Sequence, residues 1–387
     1  MKKVLFYIEP MIFNSNPEAL AIWVHWSGKI AQQGTGEYSY HLACSKYLER
    51  YSVKEFKTTH ILSTKDPMNA FGFDEADYGA DLFSGINFEN KNLLSALRIL
   101  EQSLHPDIVI CWSQNRYIEN VFPGRCVFME HGPLPRRHMP LSSFLDPYGH
   151  QVGSSLDQVA SGQFDSPETQ QIGGDWTQKW LGLRRLEAER LGAKDWLDKV
   201  ANGRSVTLLP LQSAGGFHYE ATGPRLKPVP LLRKIAANIY EDELILPTWH
   251  SDQAVPNDDM LDVLRIEHPN IIVPEAELRV NSSEVFLQYV SRVIVISSNV
   301  AAMAAVLGLP LQVLAKCKFS RFQSSKKTKP RYDLAAFLLC RYCGQFNRWI
   351  GEKGVFESHL NFVAMNRSNL FSKINKGDCE RLQQWNL

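Results

Sequence analysis

The sequence has no uninterrupted apolar run approaching the roughly 18 residues of a membrane-spanning helix. Its start, MKKVLFYIEPMIF, is too short and too soon broken by Glu9 and Pro10 to read as a signal peptide, so a cytosolic chain is expected. An excess of one charge is also missing. Lys plus Arg number 42 against 41 Asp plus Glu, which leaves no global basic field to hold nucleic acid through counterion release. The seven cysteines are odd in number and scattered, which suits reduced thiols better than a disulfide framework. Only Cys340-Arg341-Tyr342-Cys343 has motif spacing. No second pair completes a zinc site, so the run LAAFLLCRYC reads as helix packing and no metal is expected. Internal repeats and low-complexity tracts are absent, which excludes solenoids and arrays.

What is present is an ordinary globular composition, 44% hydrophobic and 21% charged, over 387 residues. That length suits two cores joined by a cleft. Short apolar runs alternate with helix-forming sequence: KKVLFYI, TTHILST, the helical NLLSALRILEQSL, DIVICWS and RCVFMEHG. Such alternation predicts an α/β sheet. From Pro133 to about Gly174 the pattern lapses into a segment rich in Gly, Pro, Ser and Asp, read as a binding element or lid, with a disordered linker as the alternative. A helical stretch, DWTQKWLGLRRLEAERLGAKDWLDKV, leads to a second βα series: SVTLLPLQ, DELILPTWH, NIIVPE, RVIVISSN, VAAMAAVLG and LPLQVLA. The basic run from Lys316 to Arg331 reads as a solvated loop or as a peripheral contact with an anionic membrane surface or substrate.

In open α/β sheets ligands bind beyond the carboxyl ends of the strands. Three polar clusters of the second half fall there: Gln212 to Gly216, Thr248 to Asp252, and Ser297 to Asn299. Ser297, Ser298 and Asn299 stand between a strand and a helix of small residues, a setting for phosphate or for simple helix capping. His250, just past the strand ELILP, can donate to a phosphate oxygen and offset the charge on a departing nucleotide. His268 precedes its strand and reads as structural. In the first half Glu130, at the end of RCVFME, is the candidate acid/base, and Gly132 lets the backbone turn away. Arg136 and Arg137 offer planar forks to anionic groups of donor or acceptor, or are simply solvated.

Taken together, LLPLQ, LPTWHS and VISSNVAAMAAVLGLPLQVL resemble the donor-binding half of the bacterial β-Kdo transferases of capsule and lipopolysaccharide synthesis. MEHGPLPRR and LDPYGHQVGSS resemble that group's acidic-Gly strand end and its Asp-Pro-x-Gly…Ser loop. The blocks touch about two thirds of the chain and lie nearest the retaining enzymes of glycosyltransferase family 99. The resemblance implies a GT-B fold, two Rossmann-like domains facing a central cleft. It divides the chain into an acceptor-side domain 1–185, a donor domain 186–360 and a tail 361–387 that packs back on the first domain. It implies a metal-independent transfer of β-Kdo from CMP-β-Kdo to the non-reducing end of a lipid-linked O antigen or capsule chain, with CMP as product and no cofactor. Gln212, Ser213, His250, Ser297, Ser298 and Asn299 would hold the donor. His131, Arg136, Arg137, Ser154 and Ser155 would contact acceptor or sugar. The setting implied is the cytoplasm, at the inner face of the membrane, as a free chain or as one module of a longer polysaccharide-synthesis polypeptide.

One departure stands out. The family pattern carries an acidic nucleophile a few positions past Pro-Leu-Gln, whereas this chain reads Gln212-Ser213-Ala214-Gly215-Gly216 with no acid before Glu220. Glu220 in that role, another chemical route, and Ala214 replacing an Asp remain open, and the third is favoured because Ala-Gly-Gly makes a turn that presents nothing. The rival functions are a sialyltransferase-like or other nucleotide-sugar transferase, and a non-catalytic glycan-binding module with a decayed site.

Overall fold

The computed structural model describes residues 1–9, 18–63, 91–112, 116–136, 139–212, 226–240, 242–250, 255–365, 367–374 and 377–378. The chain forms two compact units. The first comprises 1–132, 140–159 and 342–372, and the second comprises 133–139, 160–341 and 373–387. This differs from the expected division at 185/186. That boundary falls inside one continuous helix, Pro167–Arg190, opened by a Ser166–Thr169 capping box with Pro167 in its first turn. The return to the first unit comes at Tyr342, ahead of the expected tail.

The first unit is built on a seven-stranded sheet. Its strands are β1 (Lys2–Tyr7), β2 (Tyr38–Ser45), β3 (Thr58–Ser63), β4 (Ile108–Trp112), β5 (Cys126–His131), β6 (Ser142–Asp146) and β11 (Cys343–Gln345), in the order β11-β6-β5-β4-β1-β2-β3. Strands β1 to β5 pair in parallel, while β6 runs antiparallel to both β5 and β11. Strand β4, IVICW, is a continuous apolar run with all five residues buried, as suits a central parallel strand, whereas β2 and β3 carry Ser, Thr and His. Part of the segment read as irregular is thus a strand. Cys343 opens β11, so the CRYC spacing belongs to a helical turn passing into a strand rather than to one packed helix.

The second unit holds β7 (Ser205–Leu211), β8 (Glu243–Trp249), β9 (Arg292–Val295) and β10 (Leu311–Val313), all parallel, in the order β10-β9-β7-β8. Beyond β8, Ile271 and Val280 make single parallel bridges to Ile245 and Trp249. Counting that flanking segment, both units follow the Rossmann-like order 3-2-1-4-5, with the order reversing between β1 and β4 in one and between β7 and β9 in the other. Among the described residues the β7–β9 ladder is short, pairing Thr207 with Arg292 and Leu208 with Val293. Pro210, lacking an N–H, lies just past it, and the two strand ends are left to be joined by side chains.

The basic run also differs from its reading as a solvated loop. Cys317, Lys318, Phe319 and Phe322 are buried, with the Lys318 ammonium 5.3 Å from the Phe319 ring centre. Lys326, Lys327 and Lys329 are exposed. Among the described residues no helix is long and apolar enough to cross a membrane.

Candidate functional site

At the reversal point of the second sheet, Gln212 follows β7 and Ser297 follows β9. The Ser297 amide donates to Gln212 Oε1 at 2.8 Å, and its hydroxyl lies 3.2 Å from the same oxygen. Gln212 therefore bridges the gap that the short β7–β9 ladder leaves. This changes the expected part of Ser297, which is 5% exposed and turned to Gln212. Ser298 and Asn299 are half-buried beside it. The Val300 amide reaches Ser298 Oγ at 3.4 Å, and Asn299 makes no side-chain cap to the helix Val300–Val306. His250 is half-buried directly after β8, whose last residue Trp249 is paired with Leu211 of β7. Beneath it, the Thr248 and Ser283 hydroxyls are 2.6 Å apart. Three strand ends thus bring Gln212, His250 and the Ser297–Asn299 turn to one edge of one sheet. Ser213, Ala214 and Glu220 lie outside the described residues.

In the first unit Glu130 and His131 close β5. Side chains alternate along a strand, so the two leave opposite faces of the sheet. His131 packs edge-on to Trp26 and Phe346, with ring centres 5.3 and 6.1 Å away. Glu130 instead meets the His150 imidazole in an ion-pair contact, the carboxylate side chain 31% exposed and the histidine 2%. One ligand on one face cannot use both. Gly132, next in line, donates its amide to Ser142 O at 2.7 Å, and an added Cβ would lie 2.5 Å from Ser142 Oγ and 3.0 Å from Cys343 Sγ. Gly132→Ala is expected to lower stability by about 1–3 kcal/mol through overpacking of the β5–β6–β11 layer, read as a lower urea midpoint with an unchanged slope.

The Asp-Pro-x-Gly loop explains the position of His150. Asp146, fully buried at the end of β6, accepts from the amides of Tyr148 and Ser155 at 2.9 and 2.8 Å and from the Ser155 hydroxyl at 2.9 Å. Burial pushes its carboxyl up to about 6, and these hydrogen bonds offset that rise only in part. Ser154 accepts the Asp157 amide at 3.3 Å as a helix cap. Ser154 and Ser155 are both fully buried, so the structure makes them loop fasteners rather than the expected sugar contacts. Arg136 is exposed, and its amide donates to Glu284 Oε1 at 3.1 Å. Glu284 in turn faces Arg184, which is buried and paired with Glu187 at 2.8 Å. Arg137 lies outside the described residues.

Sequence reasoning missed two groups. His150 sat in a polar loop with no local signal. Glu9, noted only as an interruption, is fully buried past the end of β1 at the first sheet's own reversal point. The Tyr7 and Tyr117 hydroxyls lie within 2.9 and 2.5 Å of Glu9 Oε2 and 2.6 Å from each other. A Glu directly after an apolar strand was the available signal. Among the described residues no cluster of His, Cys, Asp or Glu could hold a metal ion.

No protein-family model and no curated protein matches the chain. Among solved structures it is similar to the KpsC β-Kdo 2,7 transferase of Thermosulfurimonas dismutans, with 14% identity, 70% of this chain and 90% of that chain covered, and a TM-score of 0.44. The β-Kdo 2,4 transferase of the same KpsC matches at 15% identity, 70% and 88% coverage and a TM-score of 0.39. UDP-GlcNAc 2-epimerase from Neisseria meningitidis matches at 12% identity over 99% of both chains, with a TM-score of 0.28.

Proposed function

We propose that the chain binds a nucleotide sugar at the carboxyl edge of β7, β8 and β9 and belongs to the retaining β-Kdo transferases, moving β-Kdo from CMP-β-Kdo to the non-reducing end of a lipid-linked polysaccharide. The observation that carries the nucleotide-sugar reading is the junction of Gln212 and Ser297 across the sheet's reversal point, with His250 at the neighbouring strand end. Such junctions leave a crevice lined by polar groups beyond the strands. CMP and Kdo as the donor's parts rest on the sequence resemblance. In this reading Ser298, Asn299 and His250 face the phosphate, while Gln212 and Ser297 hold the edge in shape. The acceptor's lipid carrier would place the chain at the cytoplasmic face of a membrane.

Calorimetric titration with CMP, UMP and GMP tests this. CMP is expected to bind tighter than the other two, and His250→Ala to weaken it about 10-fold, the loss of one hydrogen bond to a charged group. Equal affinity for all three nucleotides would exclude the CMP donor, and no binding of any would exclude the nucleotide-sugar reading. Ala214 supports a second reading, a glycan-binding module that keeps the donor crevice without turnover.

A further inference from the structure

We infer that His150 is the positioning residue of an acid/base dyad with Glu130, an inference that rests on the transferase reading and extends it. The dyad is built by the β5–β6 pairing. Glu130 stands opposite Phe144 in the antiparallel register, and the His150 ring stacks on Phe144 at 5.8 Å and 11°. Phe144 is itself stacked on Tyr342 at 4.9 Å and 18°. The imidazole is thus stacked on one buried ring, itself backed by a second, and brought to Glu130 by the loop that Asp146 fastens. Its Nε2 faces Glu130 Oε2, and the burial is unequal: the histidine is enclosed and the carboxylate reaches the surface. An enclosed donor behind a partly exposed carboxylate is the arrangement of a base held by an orienting group.

The chemistry follows from the contact. Nε2 carries the proton it shares with Oε2, which fixes the tautomer and leaves Oε1 as the oxygen to accept a proton. As an acceptor hydroxyl oxygen bonds the sugar carbon and the leaving group departs with the electron pair of its own bond, the hydroxyl proton passes to Oε1. The imidazole N–H stays on Oε2 throughout, now donating to a neutral acid. His150 therefore touches neither reacting atom and acts through Glu130.

The test has a readout independent of turnover. In the chain as it stands, two-dimensional ¹H–¹⁵N NMR of the imidazoles is expected to show one histidine as the Nε2–H form with a downfield, slowly exchanging proton. Glu130→Gln should shift that proton strongly, and His150→Ala should delete it. An unchanged imidazole spectrum in Glu130→Gln, or a His150 protonated only at Nδ1, overturns the inference. If His150→Ala unfolds, Glu130→Gln alone decides. In an Ala214→Asp background, His150→Ala is expected to lower kcat about 10- to 100-fold with CMP affinity unchanged, and His150→Gln, which keeps an N–H donor, to recover part of it. Equal rates for wild type and His150→Ala there would also overturn it. Loss of CMP binding by the unsubstituted chain would sink the transferase reading and leave the NMR result to stand for the dyad.

Discussion

Ala214→Asp is expected to raise Kdo transfer from CMP-Kdo to a polysaccharide acceptor by at least about 10³-fold, from a rate near background. The expectation comes from the order of the chain rather than from geometry. If the sequence resemblance holds, Pro210, Leu211 and Gln212 would correspond to the family's approach to its nucleophile, and Ala214 would stand where that family carries an acidic residue. A retaining transfer with a carboxylate nucleophile proceeds by two displacements through a glycosyl-enzyme adduct. Without the carboxylate the first displacement has no partner for the anomeric carbon, while the groups expected to hold the nucleotide are untouched. The substitution should therefore change turnover far more than CMP affinity. Mass spectrometry of the substituted chain incubated with donor and no acceptor should show one added Kdo. A rate unchanged by Ala214→Asp but abolished by Glu220→Gln would instead make Glu220 the nucleophile. Tight CMP binding with neither adduct nor turnover would favour the glycan-binding module.

The α/β architecture was legible because buried parallel strands are written as unbroken apolar runs, as IVICW and VTLLPL show. The place of Gln212, His250 and Ser297 at the carboxyl edge of the second sheet was legible for a related reason, since polar clusters directly after such runs can only emerge at a carboxyl end. Strand β6 was not. SSFLD is fully buried, yet its two serines and its Gly- and Pro-rich surroundings read as loop, and its antiparallel pairing arises only from tertiary contact. The division of units was equally hidden. No loop-like stretch around Tyr342 marks the passage back to the first sheet, and residues 333–346 are buried without a break across it. Glu130 was legible as a strand-end carboxylate, whereas His150 lies 20 positions later and reaches it through a register that no local pattern encodes. Sequence proximity also misled at His131, which pleating sends to the face opposite its neighbour.

Asp146→Ala is expected to cost more at pH 4 than at pH 7, by about 2 kcal/mol. The carboxyl is held at about 6 by burial, above the roughly 3.9 of an unfolded aspartate. The folded chain thus binds more protons between those values. The stability this group contributes is fully present below pH ~4 and is lost as the pH rises through about 6. At pH 4 the alanine variant loses that contribution and also strands the Ser155 amide and hydroxyl, two buried donors each costing about 1–3 kcal/mol when unpaired, together with the part-buried Tyr148 amide. Imperfect rescue by water makes a total of about 3–5 kcal/mol the expected loss there. At pH 7 the wild-type chain already carries the burden of a buried charge, so less is lost. Asp146→Asn keeps one acceptor oxygen and sets an amide NH₂ against a donor, so it should be intermediate in cost and equally free of the slope. Urea denaturation of the three proteins at both pH values reads this directly, and a wild-type-to-Ala difference that is the same at both would refute the raised carboxyl. Because this loop sets the His150 ring on Phe144, the alanine variant should also move the His150 imidazole proton while leaving CMP affinity intact.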